Sequence, residues 1–266
     1  MDVDLPLVRR LETTAATAGL DLIDGIKALD PNTVAAGVTF GDGALIAMGP
    51  GKYVNRAVGI TTVDLSVEDL QEIDEFFGQR RLPSMIELSS WAPPTTIDQL
   101  AGRGYTPAWF RSVFVLVPRR STAALRTDLR IAEVGKADAP QWLDVFARGF
   151  EAVDGEARIA NDEIGEAGRL APDAHTFLVY LSNEVVGCGS VQVVDGVAWL
   201  GAAATLPAFR RRGVQTALVA HRLALAADLG CELAAVTALS NGPSARNIVR
   251  LGFQLSHTQA VVRRAD

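Results

Sequence analysis

Two or three β-type runs follow one another between residues 175 and 205, and a helix and another apolar run come directly after them. Asn183-Glu184 and Asp195-Gly196 lie between these runs, where tight hairpin turns are expected. The later run, CELAAVTAL, is apolar throughout, as is typical of a strand in the interior of a sheet. This order is typical of an α/β (α+β) fold.

The chain has 266 residues, which is long for one domain and comfortable for two. The stretch VPRRSTAALRTDLR is polar, basic and without strong periodicity. We interpret Pro118 to about Thr127 as a linker. The predicted domains are therefore residues 1–120 and residues 127–266.

The first half carries its own helix and strand signals. LPLVRRLETTAATAG has helical periodicity and is expected to end at Gly19. Two short strands are predicted around Gly41-Asp42-Gly43. Ser66 with Asp69 three residues later predicts a capped helix start.

A short echo links the two halves. Each half contains a short helix, then a glycine with an aromatic residue, then a β run; the pairs are Gly104-Tyr105 and Gly252-Phe253. This match suggests that the halves are related.

Composition and charge exclude several function classes. The net charge of −6 disfavours general nucleic-acid binding, which needs a broad positive field. No apolar run reaches the roughly 18 residues of a membrane span, and the acidic start MDVDLP does not resemble a signal peptide. Cys188 and Cys231 have no ligand partners at short spacing, so we expect two reduced, buried thiols and no metal site. A cytoplasmic protein is expected.

The segment PAFRRRGVQTAL places Arg210, Arg211 and Arg212 directly before Gly213 and a helix start. A helix start has backbone N–H groups without partners and a positive dipole end, so it attracts anions. Glycine lets the backbone close on a ligand, and the arginines add positive charge. The motif therefore predicts a phosphate site, with a basic surface turn as the open alternative. Alanines at 217, 220, 224 and 227 would let the helix pack closely on a sheet.

Together with the downstream segment SNGPSARNIVRLGF, this region resembles the GNAT superfamily of acyl-CoA-dependent N-acetyltransferases. Arg210 and Gly213 match the family's Arg/Gln-x-x-Gly-x-Gly/Ala signature, and Gln215 departs from it. The order of elements from Leu129 to Val262 also fits, so the resemblance covers about half of the chain. The first half looks like a degenerate copy. The resemblance therefore implies two GNAT-like domains, each with helices flanking a mixed, mostly antiparallel central sheet.

The resemblance implies that acetyl-CoA is the co-substrate and that an amine of a small molecule or an amino group attacks its thioester directly in a ternary complex. It implies three groups of binding residues. The pantetheine arm would pair with the backbone of Ala203, Ala204 and Thr205. The pyrophosphate would be held by Arg210, Arg211, Arg212, Gly213, Val214, Gln215 and Thr216. The pantetheine and adenosine side would be contacted by Asn241, Ser244 and Asn247.

The family's usual acid and base are missing from the expected positions. Ile248 stands where many members have a tyrosine, and Trp199 and Leu200 stand where many have a glutamate. The substitutes that the sequence offers are weak, and we assign no catalytic residue. These are Glu151, Asp154, His175, Tyr180, Cys188, His221 and His257; His175 and His257 are expected at the surface.

A second hypothesis is a catalytically quiet acyl-CoA sensor or scaffold, which the missing tyrosine and glutamate would suit. The acceptor amine and the length of the acyl group stay open. The oligomeric state also stays open, with a homodimer among the options.

Overall fold

The computed structural model describes residues 1–119 and 128–264. Two compact units account for the packing: Met1–Val115 with Thr237–Asp266, and Leu116–Val236. The predicted linker lies outside the described residues apart from its first two. The boundaries at residues 120 and 127 stay a prediction, because a repeated sequence unit and a compact unit need not coincide.

The described residues form seven α-helices and eleven strands. The helices are α1 (Leu5–Leu29), α2 (Val67–Gly78), α3 (Pro94–Gly102), α4 (Ala139–Gly149), α5 (Gly155–Leu170), α6 (Val214–Asp228) and α7 (Pro243–Arg250). The strands are β1 (Ala36–Phe40), β2 (Gly43–Ala47), β3 (Arg56–Val58), β4 (Met85–Ser89), β5 (Tyr105–Leu116), β6 (Leu129–Glu133), β7 (Ala174–Leu181), β8 (Glu184–Val194), β9 (Val197–Thr205), β10 (Leu233–Leu239) and β11 (Gln254–Arg264).

The first unit has the strand order β1-β2-β3-β4-β11-β5. β3 and β4 are parallel, and the pairs β1–β2, β2–β3, β4–β11 and β11–β5 are antiparallel. The last strand of the chain thus pairs with two strands of the first half. Its register with β5 runs from Gln254 opposite Val115 to Arg264 opposite Tyr105.

The predicted end of α1 at Gly19 is wrong, because the helix continues to Leu29. Gly19 has a packing role instead: a Cβ atom there would lie 3.0 Å from Ile46 Cγ1 on β2. The missing side chain lets the helix approach the sheet, which offsets the helical cost of glycine. The helix ends where the Asp30 N–H donates to Ile26 O at 2.9 Å.

Two local predictions in the first half are confirmed. β1 and β2 form the hairpin around Gly41-Asp42-Gly43. Ser66 and Asp69 form a reciprocal capping box at the start of α2, with distances of 3.0 and 2.7 Å. Gly104 and Gly252 both follow a helix with positive φ, at 79° and 92°. The echo between the halves therefore extends to backbone conformation.

The second unit has the strand order β10-β9-β8-β7-β6, with β9 and β10 parallel and the other pairs antiparallel. Each unit thus carries a mixed, mostly antiparallel sheet with helices against it, as predicted. Asp195 and Gly196, with φ of 46° and 74°, form the turn between β8 and β9.

Helices α4 and α6 cover opposite faces of the second sheet. Cys188 of β8 packs with Trp142 of α4. Its neighbour Gly189 points the other way: a Cβ atom there would lie 2.7 Å from Leu218 Cδ2 of α6. Strand glycines therefore contribute to the close approach of α6, in addition to the alanines of the helix.

The expected surface position of His257 is wrong, because this side chain is buried in the first unit. Its Nε2 lies 2.7 Å from Glu12 Oε1, and Gln259 Nε2 donates to the same oxygen at 2.9 Å. β11 brings His257 and Gln259 to α1 from the other end of the chain. A buried polar side chain needs such partners, and sequence periodicity does not reveal them.

We expect Glu12→Ala to lower the free energy of unfolding by about 1–3 kcal/mol, because it leaves His257 and Gln259 buried without their acceptor. Urea unfolding measures this loss. The control is Glu72→Ala at an exposed position of α2, which should stay within about 0.5 kcal/mol of the parent. Equal effects of the two substitutions would contradict the role given to Glu12.

No helix in the described parts of the chain is both long enough and apolar enough to cross a bilayer.

Candidate functional site

The arginine turn leads directly into α6, as the sequence predicted. Gly213 is the N-cap of this helix and has φ of 79°, in the left-handed region that favours glycine. Arg211 also has positive φ, at 65°. Gly213 itself has no side chain to cap the first turn of α6. The N–H groups and the positive dipole end of a helix start attract anions.

Arg210, Arg211, Arg212 and Gly213 are all exposed. Arg210 Nε lies 3.5 Å from Thr205 O, and its Nη2 lies 3.7 Å from Glu151 Oε1. The guanidinium of Arg212 lies 5.3 Å from the centre of the Phe209 ring. Three cations and a positive helix end therefore share one short turn.

The other turn residues have different exposures. Val214 is buried, and its Cγ1 would lie 2.9 Å from a Cβ atom added at Gly187. The Val214 side chain thus packs in the core, and Val214 can contact a ligand through its backbone N–H. Gln215 is half-buried and Thr216 is exposed.

Strand β9 changes its pairing just before this turn. Its register with β10 runs from Val197 to Leu200. On the other side, its register with β8 shifts between Ser190↔Gly201 and Cys188↔Ala204. Gly189 thus faces two residues, Ala202 and Ala203, and Ala202 has φ of 47°. This is a β-bulge, which frees backbone groups from the ladder.

The three expected pantetheine contacts lie at and after this bulge. The Ala204 side chain is buried against α4, where a Cβ atom at Gly149 would lie 2.3 Å from Ala204 Cβ. Ala203 and Thr205 are half-buried. Their backbone groups are therefore the features through which this strand end can bind a ligand.

The three downstream residues lie in the first unit. Asn241 and Ser244 are exposed, and Asn247 is half-buried. Asn241 O accepts from Arg246 Nη1 at 3.0 Å, and Asn247 Oδ1 accepts from Arg250 Nη2 at 2.6 Å. Their predicted contact with the cofactor stays a prediction.

Among the possible acids and bases, two carboxylates are exposed near the start of α5. Glu151 has φ of 63° and approaches Arg210, and Asp154 is the N-cap residue of α5. His175 Nδ1 lies 2.7 Å from Glu133 Oε1. These contacts do not identify a general base, and neither did the sequence.

The remaining candidates pack against other side chains. The His221 ring meets the Phe177 ring edge-on at 4.9 Å, and burial lowers the pKa of His221. The Arg130 guanidinium lies 3.8 Å from the centre of the Tyr180 ring. Ile248 is buried, and its hydrocarbon side chain has no proton to donate.

Cys188 is fully buried, and its Sγ lies 3.6 Å from Ala202 O. Burial raises the pKa of the thiol to about 12. A thiol held protonated is a poor nucleophile. This agrees with the interpretation of Cys188 as a packing residue.

Arg222 is the residue that sequence reasoning missed. It is buried within α6, four residues after Leu218 and four before Ala226, which are also buried. Its place on this apolar stripe was the available signal. Among the described residues, no group of three or more His, Cys, Asp or Glu side chains could hold a metal ion.

Comparison with known proteins identifies the second half. Residues 139–253 match the model of the Acetyltransferase (GNAT) family. The chain contains a GNAT acetyltransferase domain. The match indicates an acyltransferase domain over these residues. Among curated proteins, none matches the chain.

Solved structures support the GNAT fold over nearly the whole chain. A GCN5-related N-acetyltransferase from Kribbella flavida has 18% identity and a TM-score of 0.69, with 96% of each chain covered. A functionally unknown conserved protein from Staphylococcus epidermidis has 13% identity and a TM-score of 0.62, covering 89% of this chain and 96% of that one.

A tandem GNAT protein from the clavulanic acid biosynthesis pathway has 12% identity and a TM-score of 0.57. The match covers 82% of this chain and 72% of that chain. These similarities show the fold, and the predicted GNAT-like fold class is confirmed.

We expect Cys188 of the GNAT domain to resist the thiol reagent DTNB at pH 8, because its thiol is buried and its pKa is raised. The measurement uses the Cys231→Ser variant, so that Cys188 is the one cysteine left in the chain. Full modification in guanidinium chloride is the control. Modification of the native protein at the rate of a free thiol would show that Cys188 is accessible.

Proposed function

We propose that this protein transfers an acetyl group from acetyl-CoA to the amine of a small molecule or to an amino group. The observation that carries the proposal is the pairing of two features in the second unit. An exposed arginine turn begins α6, and the bulged end of β9 precedes that turn.

The residues of the turn suit the phosphates of coenzyme A. Arg210, Arg211 and Arg212 supply positive charge, and the first N–H groups of α6 supply hydrogen-bond donors after an N-cap residue that has no side chain. Gly213 at positive φ lets the chain enter the helix without a Cβ atom beside the ligand. We therefore assign the pyrophosphate to this turn.

The bulge suits the arm that carries the acyl group. Backbone groups near Ala202 and Ala203 leave the regular ladder with β8, and the register with β10 stops at Leu200. Extended ligands commonly pair with such free strand backbone. A backbone N–H there would stabilise the negative charge that develops on a thioester oxygen.

In this reaction the amine nitrogen bonds to the thioester carbon, the carbon–sulfur bond breaks, and the thiolate leaves. The protein's part is to position the reactants and to stabilise charge. The amine proton passes to water or to a base, and we assign no residue to that step. The Glu151 carboxylate lies 3.7 Å from Arg210 Nη2 of the arginine turn.

A catalytically quiet acyl-CoA-binding protein is the second candidate. Ile248 is buried where the family often has a tyrosine, and Trp199 and Leu200 occupy the positions before the bulge. These substitutions remove the familiar acid and base and leave the phosphate turn in place. Acetyl-CoA binding without turnover of any amine would favour this candidate.

We expect Arg211→Glu and Gly213→Asp each to weaken acetyl-CoA binding at least about tenfold, because each places a carboxylate beside the phosphates. Isothermal titration calorimetry measures the affinity. The control is Arg81→Glu, which makes the same charge change as Arg211→Glu at an exposed arginine of the first unit. Unchanged affinity in both turn variants, with normal melting curves, would contradict the assignment of the turn.

Turnover tests the activity itself. We expect the parent protein to release free CoA thiol from acetyl-CoA when a suitable amine is present, and the turn variants to release it more slowly at low acetyl-CoA concentration. A panel of aliphatic, aromatic and peptide amines separates acceptor classes. Binding with no thiol release across the panel would shift the conclusion to the quiet binder.

A further inference from the structure

A buried arginine lies directly behind the bulge of the second unit. Arg222 is 2% exposed, although arginine is among the residues least often buried. Its Nη1 donates to Ser190 O at 2.8 Å and to Gly201 O at 3.2 Å, and its Nε donates to Leu218 O at 3.3 Å. One guanidinium nitrogen thus bridges β8 and β9.

The bridged residues have a special place in the ladder. Ser190 and Gly201 face each other, and they form the last regular pair before the register shifts. Gly189 comes next on β8, and a Cβ atom there would lie 3.5 Å from the Arg222 Cζ. Arg222 therefore holds the two strands at the point where the bulge begins.

The charge of Arg222 has carbonyl partners and, among the described residues, no carboxylate at ion-pair distance. Burial lowers the pKa of this guanidinium to about 10, so it is still protonated at neutral pH. A buried charge without a counter-ion is costly, and a well-packed apolar side chain would serve stability as well or better. This cost argues for a role beyond core packing.

We propose that Arg222 is a positioning residue that fixes the bulge of β9 and thereby sets where the acyl end of acetyl-CoA binds. This inference rests on the proposed function. The turn at Arg210–Gly213 would hold the phosphates independently of it. Loss of Arg222 should therefore weaken recognition of the acyl arm and spare recognition of the phosphates.

The positive charge adds a second effect. As the amine attacks, negative charge develops on the thioester oxygen and then on the departing sulfur. A fixed cation behind the strand lowers the energy of both states in a site of low dielectric. Such stabilisation would be valuable in a chain that has Ile248 in place of the usual proton donor.

The test compares three variants of the full chain. Arg222→Met removes the charge and both strand contacts with similar side-chain length. Arg222→Lys keeps the charge and can keep one contact. Leu223→Ala truncates the next buried residue of the same helix, and is the control for a general loss of stability.

Each variant is titrated by calorimetry with two ligands. Acetyl-CoA carries the acyl arm, and adenosine 3′-phosphate 5′-diphosphate carries the phosphates without it. We expect Arg222→Met to weaken acetyl-CoA binding about tenfold and to leave the fragment within about twofold. We expect Arg222→Lys to recover part of the loss, and Leu223→Ala to leave the ratio of the two affinities unchanged.

Hydrogen exchange of the free protein provides a second measurement that needs no ligand. Peptides covering residues 186–205 should exchange faster in Arg222→Met than in Leu223→Ala at matched overall stability. Equal exchange in the two variants would overturn the positioning role. An equal loss of affinity for both ligands in Arg222→Met would also overturn it.

The two proposals fail in different ways. If the parent protein binds neither ligand, the proposed function fails, and the exchange experiment still decides whether Arg222 fixes the bulge. If the parent binds both ligands and Arg222→Met changes neither affinity, the proposed function stands and the inference about Arg222 is wrong.

Discussion

Strand β9 must stay fixed in the sheet although some backbone groups at its end pair with neither neighbouring strand. The chain meets this constraint by ending the register with β10 at Leu200 and by inserting one extra residue opposite Gly189. A strand that lost its ladder on both sides would have no fixed position. The contacts of Arg222 and the burial of Ala204 hold the freed segment in place from opposite faces. The arrangement of the candidate site depends on this compromise.

Helix α6 lies close enough to β8 for these contacts because β8 has glycines at the positions that face it. At Gly187 and Gly189 an added Cβ atom would lie within 2.9 Å of Val214 or Leu218. The alanines of the helix predicted close packing, and they are half of the explanation. A side chain missing from the strand leaves no periodic signal, because a glycine in a β run can equally indicate a bulge or a bend.

Much of the fold followed from pattern. The hairpins, the capped start of α2 and the arginine turn each rest on residues that are neighbours in sequence, and local chemistry decides such features. Gly19 and His257 were wrongly interpreted because their partners lie far away in sequence, on β2 and on α1. Arg222 was not identified from the sequence, because a charged residue on an apolar helix stripe indicates no role until its hydrogen-bond acceptors are known. The catalytic groups could not be predicted because the family positions that would have indicated them hold other residue types.

The position of β11 also orders events during synthesis. β4 and β5 of the first unit share no ladder until residues 254–264 arrive between them. The end of β5 is Leu116 and the end of β11 is Arg264, 148 residues later. At translation rates of about 5–20 residues per second, this stretch takes about 7–30 s. For that time two strand edges rich in apolar side chains have no partner, and such edges recruit other chains. A nascent chain with this strand order therefore needs protection of its unpaired strand edges until synthesis ends. A chain truncated before its last strand would be bound by chaperones or degraded by proteases, and its first unit would not fold correctly.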